Sequence, residues 1–247
     1  MQITLVSHYG EKSDGLASYI RNCQSEISIS LSSAFTSYNL HQVHGTIIGM
    51  EGCINIGQIE NMNFNEYRQE IRHMNPSKIL EFLRSPSVPE FDVQIGGYIE
   101  NENYGFLSQG QHPYLRSFSI QGENVVAMGW PTDLSSILDD FRRSFNRLNI
   151  LHKYHKNEST IDNDFFFVLG QVNRDVLTNE EIFDVEIKMR QFMASHDPII
   201  LRVNVCSLRL VSYFDAKLPL DTSKVHDIHN NDFTPEDFAR CYYDCNN

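Results

Sequence analysis

A histidine and a threonine two positions apart give this sequence its clearest chemical signal. His44, Gly45 and Thr46 lie within residues 41–50, whose apolar residues predict a β-strand. Residues two apart in a strand face the same side, so Gln42, His44 and Thr46 should project together. A threonine hydroxyl can hold a phosphate oxygen while an imidazole gives or takes a proton at the bond that breaks, and this chemistry needs no metal.

The same residues are also compatible with an ordinary, half-buried strand pair, because a short His-x-Thr match is a weak signal by itself. His41 precedes His44 by three positions and therefore lies on the opposite strand face. That is poor geometry for metal ligands, so neither a metal nor another cofactor is expected.

The elements that must position this pair follow from hydrophobic periodicity. Strands are predicted at residues 2–8, 41–50, 91–99, 116–120, 124–130, 164–172 and 199–212, and helices at 14–31, 63–74, 77–84, 134–151 and 179–195. This order predicts an α+β fold of two pseudo-symmetric lobes, each an antiparallel-rich sheet with outer helices, flanking a central cleft. Residues 1–229 would form this domain. Residues 230–247 would be a polar C-terminal tail with a short helix after Thr234 and Pro235.

Composition limits the partners. The 247-residue chain carries a formal charge of −12, which would repel long nucleic acid. The amino terminus shows no signal peptide and no membrane span, so a cytoplasmic protein without a membrane partner is expected. The five cysteines are odd in number and form no Cys-x-x-Cys pair, which predicts reduced, structural thiols.

Residues 40–49, Leu-His-Gln-Val-His-Gly-Thr-Ile-Ile-Gly, resemble the first motif strand of the two-histidine phosphoesterase superfamily, which includes 2′,5′ RNA ligase-like proteins and cyclic phosphodiesterases. Residues 118–130 and the helix that follows are similar to the elements before the family's second motif. The resemblance implies two motif strands in two lobes. It also implies one histidine as general base, the other as general acid, and hydroxyls that hold the phosphoryl oxygens.

The second motif departs from the family pattern. Residues 164–170, Asp-Phe-Phe-Phe-Val-Leu-Gly, contain no His, Ser or Thr. If the glycines that end the two motifs are aligned, Phe165 and Phe167 take the places of the histidine and the threonine. A shift of one residue is equally defensible and selects Phe166 and Val168. An aromatic ring there would stack on a base rather than move a proton, although such apolar runs are also typical of buried strands.

Other candidate residues lie in or beside residues 100–112, a Gly-, Asn- and Gln-rich segment predicted to be a mobile loop over the cleft. Candidates that could replace the second histidine or contact a ligand are Tyr98, Tyr104, His112, Tyr114, Arg116 and, on a later strand, Arg202 with Asn204. His152 and His155 are predicted to be solvated surface residues, because no acidic or cysteine partner accompanies them at ligand spacing.

Two functions remain open. The first is a metal-independent phosphodiesterase that acts on a small nucleotide, a cyclic phosphate or an RNA end, with His44 as acid or base and Thr46 as phosphate ligand. The residues expected to bind the substrate are Gln42, Phe165, Phe167, Tyr114, Arg116 and Arg202. The alternative is a non-catalytic relative that binds a nucleotide or RNA end. A protein that acts only through its surface is a third possibility.

Overall fold

The alternation of strands and helices predicted from the sequence is present in a computed structural model, which describes residues 1–228 and 232–245. The strands are β1 Gln2–Ser7, β2 Phe35–Ser37, β3 Gly45–Gly49, β4 Gly52–Asn55, β5 Gln58–Asn61, β6 His73–Met74, β7 Phe91–Ile95, β8 Phe118–Gln121, β9 Asn124–Pro131, β10 Phe165–Val172, β11 Ile199–Val203, β12 Leu208–Tyr213 and β13 Lys224–His226. The helices are α1 Asp14–Leu31, α2 Met62–Arg68, α3 Pro76–Leu83, α4 Pro113–Arg116, α5 Ile137–Ser144, α6 Asn179–Ala194 and α7 Pro235–Ala239.

Ten of these strands form one large antiparallel sheet, which confirms the predicted α+β class. Its order is β11-β7-β9-β10-β3-β1-β12-β13, with β2 paired to β10 and β8 paired to β9. The strands β4, β5 and β6 form a second, smaller sheet. One half of the large sheet runs from β11 to β10 in this order, and the other half runs from β3 to β13. The two halves meet where Phe167 of β10 pairs with Gly45 of β3. The predicted motif strand therefore lies at the junction of the halves.

Helices α1 and α6 contact each other and cover one face of the sheet. Each buries one stripe of apolar side chains at the three- and four-residue spacing of an amphipathic helix. The buried residues of the two helices are Leu16, Ala17, Ile20, Cys23, Ile27 and Leu31 in α1, and Ile182, Val185, Met189 and Met193 in α6. Ser13 caps α1, and a capping box of Thr178 and Glu181 begins α6. The other face of the sheet is left to form the cleft.

Several predicted boundaries differ from the structure. The strand predicted at 199–212 is two strands, because Asn204 and Ser207 cap a short turn between β11 and β12. The helix predicted at 63–74 ends at Arg68, where Gln69 takes a left-handed backbone conformation. Arg116 ends helix α4 instead of beginning a strand. Local caps and turns of this kind override the apolar pattern.

The C-terminal segment belongs to the main core. Helix α7 begins after Thr234, as predicted, and Phe238 and Tyr242 are buried with the residues of the large sheet. The predicted boundary between residues 229 and 230 lies outside the described residues. None of the helices that the structure describes is long and apolar enough to cross a membrane.

Cys53 and Cys245 form a disulfide, which joins β4 to the end of the described chain. The prediction of reduced cysteines is therefore wrong for these two residues, whereas Cys23, Cys206 and Cys241 are free. Disulfides persist mainly in oxidising compartments, and the compartment of this protein stays a prediction.

Candidate functional site

A cleft of about 850 Å³ lies over the junction of β3 and β10, on the sheet face opposite the apolar stripes of α1 and α6. This volume suits a small ligand. Its floor is formed by His44, Thr46, Val126, Met128, Phe166 and Val168. Side chains from the predicted loop, from helices α4 and α6, and from residues 153–164 and 215–217 form its walls. The two motif residues predicted to share a face do so.

The pairing of Phe167 with Gly45 sets which residues of β10 face the cleft. Phe166 and Val168 are half-buried and line it beside the motif pair. Phe165 and Phe167 alternate with them and are fully buried in the core on the other face. The alignment that chose Phe165 and Phe167 as ligand contacts is therefore wrong. The alternative alignment, shifted by one residue, selects Phe166 and Val168, and these are the residues that face the cleft.

The Phe165 ring also accounts for the glycine of the motif. It lies so close to Gly45 that a Cβ atom there would collide with the ring. Only glycine fits between His44 and Thr46 while this ring occupies the core beneath them.

His44 is held as a neutral imidazole. Its Nδ1 lies 2.6 Å from the backbone oxygen of Gln42, which can only accept a hydrogen bond, so Nδ1 carries the proton. Burial lowers the pKa of His44 to about 4, and the nearby charge of Lys12 acts in the same direction, while the bond to Gln42 opposes the shift. None of the described residues hydrogen-bonds Nε2. At neutral pH this atom is therefore a free base and acceptor.

The segment that follows β1 lies beside this imidazole. The Nζ of Lys12 donates to the backbone oxygens of His8 at 2.7 Å and Gly10 at 2.8 Å, and the ring of Tyr9 meets that of His44 edge-on at 5.6 Å between centroids. Burial lowers the pKa of Lys12 to about 8.

Gln42, which was predicted to contact the ligand, is buried and does not line the cleft. Its Nε2 donates to the backbone oxygen of Lys217 at 2.8 Å. The contact holds residues 215–217 against the cleft, so Gln42 shapes the wall.

A fully buried arginine joins β3 to the residues before β10. Arg142 of α5 donates from Nε to the oxygen of Ile47 at 2.8 Å and from Nη2 to the oxygen of Thr46 at 3.0 Å. Its Nη1 donates to the oxygen of Asp162 at 2.9 Å and lies 3.1 Å from that residue's carboxylate. Both terminal nitrogens also donate to the backbone oxygen of Asp164, each at 3.2 Å.

Asp164 anchors the predicted loop to the cleft. Its Oδ1 accepts from Ser108 Oγ at 2.7 Å and Trp130 Nε1 at 2.6 Å. Its Oδ2 accepts from Gln109 Nε2 at 3.0 Å and Arg116 Nη2 at 2.7 Å. Arg116, which was predicted to bind the substrate, lines the cleft with part of its guanidinium already engaged. Sequence reasoning missed Asp164, although an acidic residue directly before an apolar strand was a visible signal.

His152 and His155 are buried, so the prediction of surface histidines is wrong. His152 Nε2 lies 2.7 Å from Asp162 Oδ2, and His155 Nε2 lies 2.8 Å from Asp139 Oδ1. Burial and the charge of Arg142 lower the pKa of His152 to about 4. No group of three or more His, Cys, Asp or Glu within the described part of the chain could hold a metal ion.

The other predicted site residues do not line the cleft. Tyr114 is buried in one cluster with Tyr98, Trp130 and the floor residues Val126 and Met128. Arg202 on β11 is exposed and pairs with Glu90 and Asp92.

The phenol of Tyr98 donates to the backbone oxygen of Gln94. Tyr104 hydrogen-bonds the backbone of Ile99, and His112 that of Glu102. These three side chains therefore have protein partners and do not line the cleft.

Charges around the cleft are nearly balanced. Asp162, Asp164 and Glu186 are paired with Arg142, Arg116 and Arg190 respectively. Lys153 and Lys217 line the mouth without an ion pair to any described residue, as do Glu123 and Asp215. Such a cleft does not attract a polyanion strongly, which agrees with a small ligand.

Comparisons with known proteins do not identify the family. No protein family model matches the sequence, and no curated protein matches it. One solved structure with a related backbone is TT0787 of Thermus thermophilus, with a TM-score of 0.47, 9% sequence identity, and coverage of 94% of this chain and 100% of that chain. A TM-score of this size does not establish a common fold. The two-histidine phosphoesterase family stays a prediction.

Proposed function

We propose that the cleft binds a small nucleotide, a cyclic phosphate or an RNA end, with its phosphate at Thr46 and an adjacent hydroxyl or water at His44. The observation that carries this proposal is the free His44 Nε2 and the free Thr46 hydroxyl on one cleft floor, beside the half-buried ring of Phe166. Neither polar atom has a hydrogen-bond partner among the described residues.

The protonation state of His44 assigns the two contacts. A neutral Nε2 accepts a hydrogen bond and cannot donate one, so it suits a ribose hydroxyl or a water molecule better than a phosphate oxygen. The hydroxyl of Thr46 can donate to the phosphate oxygen, and the ring of Phe166 offers an apolar face to the base. The ligand therefore needs a phosphate and a hydroxyl close together.

Binding without efficient turnover is the function that the second motif favours. Phe166 and Val168 stand where the resemblance expects the second histidine and hydroxyl, and neither can transfer a proton. General acid or base help is commonly worth about 10²- to 10⁴-fold per group. A slow phosphodiesterase is the second candidate, because the fixed Nδ1–H tautomer of His44 leaves Nε2 as a base that can activate water.

Titration calorimetry in EDTA with adenosine 2′,3′-cyclic phosphate, adenosine 3′-phosphate and its 2′-deoxy analogue tests the proposal. Saturable binding should weaken about 10- to 100-fold in Thr46→Val, which loses a hydrogen bond to a charged group but keeps the shape of the side chain. His44→Ala should remove the preference for the ribose form. His41→Ala, an exposed change outside the cleft, is the matched control.

Wild-type protein that binds none of these ligands below about 1 mM would refute the proposal. Phosphorus NMR of the same mixtures measures hydrolysis directly. Turnover that disappears in His44→Ala would favour the phosphodiesterase over the binder.

A further inference from the structure

Tyr38 lines the same cleft as His44, and its main chain is tied to the second motif strand. It follows β2, and its backbone N–H donates to the oxygen of Leu169 at 3.0 Å. The Nε2 of Gln24 donates to the backbone oxygens of both Tyr38 and Leu169, each at 2.9 Å. Tyr38 is thus fixed beside β10, one residue beyond Val168.

His44 lies along the same edge of β10. Because Gly45 pairs with Phe167, the preceding His44 stands beside Val168 in the antiparallel register. The backbones of Tyr38 and His44 are therefore neighbours, at the part of β10 whose own side chains offer no polar group, and both residues line the cleft.

The hydroxyl of Tyr38 is available to a ligand. The residue is half-buried, and its hydroxyl has no hydrogen-bond partner among the residues that the structure describes. Burial, followed by the charges of Asp215 and Glu123, raises the pKa of Tyr38 to about 12. The phenol therefore keeps its proton at neutral pH and can donate a hydrogen bond.

We propose that the Tyr38 hydroxyl donates a hydrogen bond to the phosphoryl group of the ligand, in place of the polar group that the second motif strand lacks. This inference rests on the proposed function, because it assumes a phosphate at the motif pair. It makes Tyr38 a ligand-binding residue and gives the ligand three neutral partners. Thr46 and Tyr38 donate to the phosphate, and His44 accepts from the neighbouring hydroxyl.

Calorimetry with adenosine 2′,3′-cyclic phosphate on Tyr38→Phe tests this contact, because that change removes only the oxygen. The dissociation constant should rise about tenfold or more, while the thermal unfolding midpoint of the free protein stays the same. Tyr38→Leu, which also removes the ring, should weaken binding to a similar extent. Tyr243→Phe is the matched control, because Tyr243 is 43% exposed and does not line the cleft. It should bind as the wild type does.

Equal affinity of Tyr38→Phe and wild type would overturn the role of Tyr38 and leave the proposed function standing. Loss of binding in Tyr38→Leu alone would also overturn it, because the ring and not the hydroxyl would then matter. Wild-type protein that does not bind the cyclic phosphate would refute the proposed function, and the assignment of Tyr38 with it.

Discussion

Arg142→Met is expected to destabilise the protein strongly, although the residue touches no ligand. Methionine keeps the length and apolar stem of the side chain but removes donors to the backbone oxygens of Thr46, Ile47 and Asp162, which lie at 3.0, 2.8 and 2.9 Å. It also removes the cation 3.1 Å from the buried carboxylate of Asp162. Breaking a buried ion pair from one side costs about 3–5 kcal/mol.

That loss corresponds to a fall of roughly 6–20 °C in the unfolding midpoint, at about 2–4 °C per kcal/mol for a chain of this size. Urea and thermal unfolding can be followed by the fluorescence of Trp130, the single tryptophan, which is buried against Asp164. Arg202→Met is the control, because Arg202 makes only exposed ion pairs, and its midpoint should match that of the wild type.

Arg142→Met leaves the buried carboxylate of Asp162 without its cation. Adding Asp162→Asn removes that negative charge, so the double variant should recover part of the lost stability. If Arg142→Met costs less than about 1 kcal/mol, Arg142 does not hold the two motif strands together.

Three further predictions concern the motif and the buried histidines. Gly45→Ala should lower the free energy of unfolding by about 1–3 kcal/mol, because the added Cβ collides with the Phe165 ring. The double variant Gly45→Ala with Phe165→Leu should recover part of this loss. A Gly45→Ala protein as stable as the wild type would contradict the packing. Proton–nitrogen correlation NMR should show His44 as the Nδ1–H tautomer with a pKa of about 4, and a pKa near the usual 6.5 would disprove the assigned state. His8, His44, His152 and His226 all have pKa values lowered to about 4, so the unfolded chain binds protons before the folded one does as the pH falls below 6.5. Stability to urea should therefore be full above pH 6.5 and decline between pH 6.5 and about 4, and a midpoint that stays constant over this window would oppose the prediction.

The half of the site on β3 was predictable because its residues alternate. His44 and Thr46 are polar, Gly45 and Ile47 are not, and a period of two assigns them to opposite faces. The run Phe165 to Phe167 has no such alternation, so two registers fitted it equally well. The deciding contact is non-local, since Phe167 pairs with Gly45 and the Phe165 ring fills the space beside that glycine.

Arg142 and its partners were not predictable for a related reason. Arg142 and Arg143 stand close in sequence to Asp139 and Asp140, so local spacing favoured ion pairs on a solvated helix face. Arg143 does pair with Asp139, but Arg142 hydrogen-bonds residues 20 and 95 positions away. The Cys53–Cys245 disulfide spans 192 positions and gave no local signal.

The arrangement of charge bears on which ligand the cleft suits. An arginine already bound to a carboxylate holds a wall in place, and three of the acidic groups around this cleft have such a partner in Arg116, Arg142 or Arg190. The free groups at the motif pair and beside it are neutral: the imidazole of His44 and the hydroxyls of Thr46 and Tyr38. Lys153 and Lys217 line the cleft without an ion pair to any described residue. Hydrogen bonds from the two hydroxyls to a phosphate are charge-assisted, and their strength depends on geometry. A cleft built in this way suits a ligand with one phosphate and a neighbouring hydroxyl at the motif pair. A second phosphate would have to reach Lys153 or Lys217, because no unpaired arginine among the described residues lines the cleft.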